Sequence, residues 1–200
     1  MCIECWNAIT RLDEQHSLRL QAQHRLCAEG PCESIVAAFL FEEGGILQHI
    51  IHRLKYDGGT SAGVALGTRL GERLIATGSG ECSGIIPVPL HPTKKRERGY
   101  NQSEFIAAGL SRITGFPVYA THLRRVRFTL SQTRLSAVER RSNVADAFEV
   151  PHRFYPAVNG KRFLLVDDVI TTGATTAAAA KALVSAGALS PVACAVALAE

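Results

Sequence analysis

Phe163-Leu164-Leu165-Val166-Asp167-Asp168-Val169-Ile170-Thr171-Thr172-Gly173-Ala174-Thr175 is the stretch whose reading decides the fold. Arg162 and the four apolar residues after it predict a strand, buried on both faces of a sheet. Asp167 and Asp168 then stand where the strand leaves the carboxyl edge, the edge at which open α/β sheets hold ligands. A short Thr/Gly loop follows and opens a helix over residues 175–186, with Gly187 as its C-terminal stop. A last buried strand is expected over 192–198.

The chemistry of this stretch suits a ribose 5-phosphate. A phosphate dianion calls for several N–H and O–H donors and a positive potential. A helix N-terminus supplies unpaired N–H groups and its dipole, and Gly173 lets the backbone come close. Thr171, Thr172 and Thr175 add hydroxyls beside Ala174. The carboxylates of Asp167 and Asp168 can accept hydrogen bonds from the vicinal 2- and 3-hydroxyls, each worth roughly 1.5–3 kcal/mol. Two adjacent acids repel unless they diverge or face a divalent cation, and Mg²⁺ riding on a substrate diphosphate would be such a cation. Other phosphate motifs are absent: the chain has no Walker loop, no dinucleotide fingerprint, and no nucleophile elbow.

Working back from this stretch, the pattern is one of alternating strands and helices. Residues 34–41 read as a strand. Ile46, Leu47, Ile50, Ile51 and Leu54 recur at one-turn spacing, which predicts an amphipathic helix ending before Asp57-Gly58-Gly59. A second helix is expected over 62–76, with Leu66, Leu70 and Leu74 along one stripe. Residues 84–90 predict a strand broken by Pro87 and Pro89. Residues 91–103 read as a basic loop carrying Lys94, Lys95, Arg96, Arg98 and Gly99. A helix with Ile106, Leu110 and Ile113 inward comes next, then a strand at 117–119. A second basic stretch covers 122–143, where Ser136 and Glu139 make a capping box. Such alternation implies an α/β fold with a mostly parallel central sheet flanked by helices.

At 200 residues, with 46% hydrophobic and 20% charged side chains, the chain can bury a sizeable core without covalent staples. A net charge of +4 suits polyanionic small substrates and permits nucleic acid without demanding it. The start shows no signal-peptide pattern, and no apolar run is long enough to span a bilayer, so no membrane insertion and a cytoplasmic location are expected. In that compartment cysteines point to metal or to core packing rather than to disulfides. Cys2, Cys5, Cys27 and Cys32 crowd into the first 32 residues. They offer a tetrahedral thiolate set for structural Zn²⁺, or else stay unliganded. Two domains follow: a cysteine-rich module at 1–34 and the α/β domain at 35–200.

The stretch 163–175 resembles the phosphoribosyl diphosphate signature of type I phosphoribosyltransferases. Further pieces narrow the resemblance to the ComF family, which includes competence and GntX-like proteins. They are Leu54-Lys55-Tyr56 with Gly58, Val88-Pro89-Leu90-His91-Pro92, Arg98-Gly99-Tyr100-Asn101-Gln102, and then Arg127, Thr129, Gln132, Glu139, Arg140, Asn143 and Ala147-Phe148. The resemblance covers residue 35 to the end. It implies a type I phosphoribosyltransferase fold with a small hood, and a reaction in which a nitrogen nucleophile displaces pyrophosphate from Mg²⁺-bound phosphoribosyl diphosphate. Asp167 and Asp168 would hold the ribose, the loop 171–175 the 5-phosphate, and Lys94, Lys95, Arg96, Arg98 and Gly99 the leaving pyrophosphate. That basic loop also reads as a solvated cluster or a nucleic-acid contact. The stretch 124–141 resembles a mobile flap, with a surface for single-stranded DNA as its rival reading. Family members often carry a cysteine zinc module with two Cys-x-x-Cys pairs. Here the second pair is spaced by four residues. The acceptor base is not written in the sequence. A homodimer and contacts with competence proteins are further expectations. The rivals to an enzyme are a non-catalytic sensor of phosphoribosyl diphosphate or a nucleotide, and a DNA-handling factor in natural transformation.

Overall fold

The structure is a computed structural model that describes residues 2–28, 30–78, 80–126 and 147–200. The elements run α1 (Ile3–Asn7), α2 (Ser17–Gln23), a π-helical turn (His24–Ala28), β1 (Ser34–Leu40), α3 (Ile46–Tyr56), α4 (Thr60–Thr77) and β2 (Ile85–Pro87). They continue with α5 (Pro92–Arg98), α6 (Gln102–Thr114), β3 (Arg124–Arg125), β4 (Phe148–Glu149), α7 (Tyr155–Val158), β5 (Leu164–Ile170), α8 (Ala174–Ser185) and β6 (Val192–Leu198).

Four strands form the central sheet in the order β1-β6-β5-β2, every neighbouring pair parallel. The expected α/β architecture with a parallel sheet and helices on both faces is therefore what the chain adopts. Every residue of β6 is buried and most are small, so it suits the middle of the sheet. On one face Leu47, Ile51 and Leu54 of α3, Leu66, Leu70 and Leu74 of α4, and Ile106 and Leu110 of α6 cover Leu164, Val166, Cys194 and Val196. On the other, Ala179, Ala180 and Leu183 of α8 meet Leu165 and Ala195, together with Leu12, Leu18, Ala22, Leu26 and Cys32 of the N-terminal segment. Each fully buried leucine contributes about 1.5–3 kcal/mol. The expected domain boundary falls at the first residue of β1, yet the residues before it share one core with the sheet.

Helices α4 and α6 touch backbone to backbone. A Cβ placed on Gly67 would lie 2.0 Å from the Ile106 carbonyl oxygen, and one on Gly109 would lie 2.0 Å from that of Val64. No leucine stripe announces this contact; it needs Gly67 and Gly109 each to lie against the backbone of the other helix.

Three expectations change at their edges. The strand expected to end at Val166 continues through Asp167 and Asp168 to Ile170, because β6 pairs with it along its whole length. The strand expected over 84–90 pairs only at 85–87, and residues 117–119 supply a single bridge, Ile85 to Val118. Residues 92–98, read as a loop, are the helix α5. Pro92 occupies its first turn, the His91 Nδ1 accepts from the Thr93 N–H at 3.2 Å, and Gly99 ends it with φ +83°. An all-polar helix has no apolar stripe by which to be read. The capping box at Ser136 and Glu139, and the family positions Arg127, Thr129, Gln132, Glu139, Arg140 and Asn143, lie outside the described residues.

Candidate phosphoribosyl site

Asp167 and Asp168 sit in the second half of β5, and their side chains diverge. Asp168 is 5% exposed, and its Oδ2 lies 2.6 Å from the Nζ of Lys55 at the end of α3. Its Oδ1 accepts from the Val169 N–H at 2.7 Å. The Oδ1 of Asp167 accepts from the Asp168 N–H at 2.9 Å and from the hydroxyl of buried Ser103 on α6 at 3.3 Å. Burial first, and then the charge of Asp168, push the Asp167 carboxyl up to about 7, against the opposing pull of Lys55 and Ser103. Arg125 faces Asp167 electrostatically from β3. Its own acidity is strengthened by burial and restrained by that carboxylate. A pair of acids held apart by one lysine and one hydroxyl can meet a diol or a hard cation.

Sequence fragments far apart meet around this pair. The Tyr100 hydroxyl donates to the Leu54 carbonyl, and the Arg98 guanidinium lies 5.1 Å from the centre of the Tyr56 ring while bonding Gln102. Asn101 caps α6 through the Ser103 N–H and donates from Nδ2 to the Val88 carbonyl at 3.0 Å. The pieces Leu54-Lys55-Tyr56 and residues 98–102 thus brace the end of β2 and the acids of β5. Lys55 and Ser103 are the residues that reading for chemistry passes over. The signal for Ser103 is its position just inside a helix start, while Lys55 stands in the family piece Leu54-Lys55-Tyr56, which assigns it no role.

Downstream, Thr171 and Thr172 are exposed and Gly173 is buried with φ +79°. Gly173, the residue before α8, offers no side chain to cap it, and the Ala174 N–H makes only a long bond, 3.5 Å, to the Thr172 hydroxyl oxygen. Ala174 and Thr175 form its first turn. The N-terminal segment reaches this loop: the Arg25 Nη2 lies 3.4 Å from the Thr171 carbonyl, and a Cβ on Gly173 would stand 3.0 Å from the Leu26 Cδ2.

The cations expected to hold pyrophosphate lie along α5. Lys95 pairs with Glu104 at 2.8 Å, and Arg98 is committed to Tyr56 and Gln102. Lys94 is half-buried, Arg96 is exposed, and neither makes an ion pair among the described residues. Beside α5 opens a cavity of about 500 Å³, with Lys95, Asn101, Arg124, Arg125 and Arg153 in its walls.

The four N-terminal cysteines do not converge. The sulfurs of Cys2 and Cys5 lie 3.3 Å apart at the surface, whereas Cys32 is buried, and burial followed by the charge of Cys27 pushes its thiol up to about 12. Among the described residues no three His, Cys, Asp or Glu side chains come close enough to hold a metal ion. A tetrahedral thiolate site does not fit this arrangement. No described helix is long and apolar enough to cross a membrane.

No family model matches the chain, but its sequence relatives carry related names. The chain is 43% identical over 93 residues to competence protein F of Haemophilus influenzae, covering 46% of this chain and 39% of that protein. It is 33% identical over 146 residues to the DNA utilization protein YhgH of Salmonella typhi, covering 71% and 63%. With competence protein ComFC of Streptococcus pneumoniae it shares 27% over 198 residues, covering 94% and 83%. The chain thus spans less than two thirds of the first two relatives. Among solved structures, a glutamine phosphoribosylpyrophosphate amidotransferase from B. subtilis, complexed with ADP and GMP, is similar at a TM-score of 0.44 and 24% identity, over 68% of this chain and 26% of that one. In sequence the chain is thus similar to competence protein F, ComFC and the YhgH proteins, in line with its resemblance to the ComF family.

Proposed function

We propose that the chain binds phosphoribosyl diphosphate as its Mg²⁺ complex and transfers the phosphoribosyl group to a nitrogen acceptor, releasing pyrophosphate. The observation that carries this reading is the continuous run from the Asp167–Asp168 pair through exposed Thr171 and Thr172 and the left-handed Gly173 to the start of α8. Ribose hydroxyls would bond the two acids. The 5-phosphate would take the N–H groups of 173–175 and the hydroxyls of Thr171, Thr172 and Thr175. Mg²⁺ belongs to the substrate and arrives with the diphosphate, whose oxygens suit it as the carboxylates do.

Lys94 and Arg96 would receive the diphosphate first, since Lys95 and Arg98 are already engaged. Reaction rate would come from positioning and from neutralising the departing diphosphate, without a protein nucleophile. The names of the relatives, competence and DNA utilization proteins, support a role for this activity in DNA uptake or utilization. The test is calorimetric titration with Mg²⁺ and phosphoribosyl diphosphate, followed by assay of pyrophosphate release with candidate bases. Binding that disappears in Asp167→Ala/Asp168→Ala is expected. Equal affinity in that variant would refute the assignment. Tight binding without release for any base would leave a sensor.

A further inference from the structure

We propose that Arg25, carried by the cysteine-rich segment, is the cation that binds the 5-phosphate at the start of α8, so that this segment forms one wall of the ligand site. The inference rests on the phosphoribosyl reading above and adds to it a residue from outside the α/β core.

The loop 171–175 supplies hydroxyls and N–H groups but no charge of its own. A helix end offers the equivalent of about half a positive charge, which leaves most of a phosphate dianion unmatched. Arg25 is the side chain at hand. Its Nη2 makes one long bond, 3.4 Å, to the carbonyl of Thr171, the residue that opens the loop. Its Nε is buried and has no hydrogen-bond partner among the described residues. A guanidinium has five donors in a planar fork matched to phosphate oxygens, so most of its capacity is unspent here.

Its placement is set by packing. Next to it, Leu26 is 1% exposed and rests against Gly173. The Leu26 carbonyl accepts from the Cys32 N–H at 3.0 Å, tying the π-helical turn to the residues just before β1, and the side chain of Gln23, at the end of α2, accepts from the Ile35 N–H of β1 at 3.2 Å. The backbone that carries Arg25 is therefore fixed relative to the loop. In the proposed complex the guanidinium turns from the Thr171 carbonyl to a phosphate seated on the helix end.

The test titrates wild-type protein, Arg25→Met and Arg25→Lys with ribose 5-phosphate, with ribose, and with Mg²⁺ pyrophosphate, while thermal unfolding checks each fold. Methionine keeps much of the aliphatic stem, so the packing beside Leu26 is retained. Arg25→Met should weaken ribose 5-phosphate binding by about 10- to 100-fold, with Arg25→Lys recovering part of it and pyrophosphate affinity unchanged. Equal ribose 5-phosphate affinity in wild type and Arg25→Met would overturn the proposal and leave the phosphoribosyl reading standing. An equal loss for pyrophosphate would also overturn it, because the effect would then be general charge. Wild-type protein that takes up no ribose 5-phosphate would remove both.

Discussion

Two segments line the same loop and were made legible in opposite ways. The unit from β5 through α8 writes its chemistry in consecutive residues, acids, then hydroxyls, then a glycine, all within one strand-to-helix turn. The segment 2–32 writes nothing comparable. Its polar, cysteine-bearing sequence suggests a separate metal module, yet it buries Leu12, Leu18, Ala22, Leu26 and Cys32 in the core that α8 shares, and it sets Arg25 and Leu26 against the loop. Proximity in sequence serves the first; packing alone serves the second.

The sharpest way to break that comparison is at the point where the two meet. Gly173→Val puts a branched side chain at φ +79° and against Leu26, and should destabilise the fold by about 2–4 kcal/mol while abolishing ribose 5-phosphate binding. Chemical denaturation and calorimetry measure both. A variant that binds normally would mean that the loop backbone does not approach a ligand.

A smaller effect is expected at Lys55, which joins α3 to the acids of β5. Lys55→Met leaves the buried Asp168 carboxylate without its cation. Since the lysine is partly exposed, the loss of stability should be about 1–2 kcal/mol, with phosphoribosyl diphosphate affinity falling as well. Unchanged affinity would make Lys55 a structural tether only.

Asp167 offers a pH test. Its folded-state carboxyl titrates near 7 against 3.8 when free, so between those values the folded chain holds a proton that the unfolded chain has lost. The contribution of this group is fully favourable below about pH 4 and fades as pH rises through about 7. Asp167→Asn should therefore be more stable than wild type by roughly 1–2 kcal/mol at pH 8, after allowance for partial solvent access, and equal to it near pH 4. Stability curves at the two pH values decide this, and a gain that did not depend on pH would show that charge is not its source.

The mildest test concerns the thiols. Burial raises the thiols of Cys32 and Cys194, whereas Cys2 is exposed, so a thiol reagent on native protein should modify Cys2 quickly and reach Cys32 and Cys194 only on unfolding. Rapid labelling of Cys32 would show that the N-terminal segment detaches from the core, and the comparison with β5 and α8 would lose its basis.

The sequence by itself determined the alternation of strands and helices, the parallel sheet and the loop at the start of α8, because each is a local pattern of apolar spacing, glycine and caps. It could not show that β5 runs on through both acids, since strand length is set by the partner β6. Nor could it show α5, whose residues are polar on every side, or the backbone contact of Gly67 with Ile106. The parts played by Lys55, Ser103 and Arg25 became visible only in three dimensions. A lysine beside a carboxylate 113 residues away is a product of helix packing on a sheet, and no short-range period in the chain encodes it.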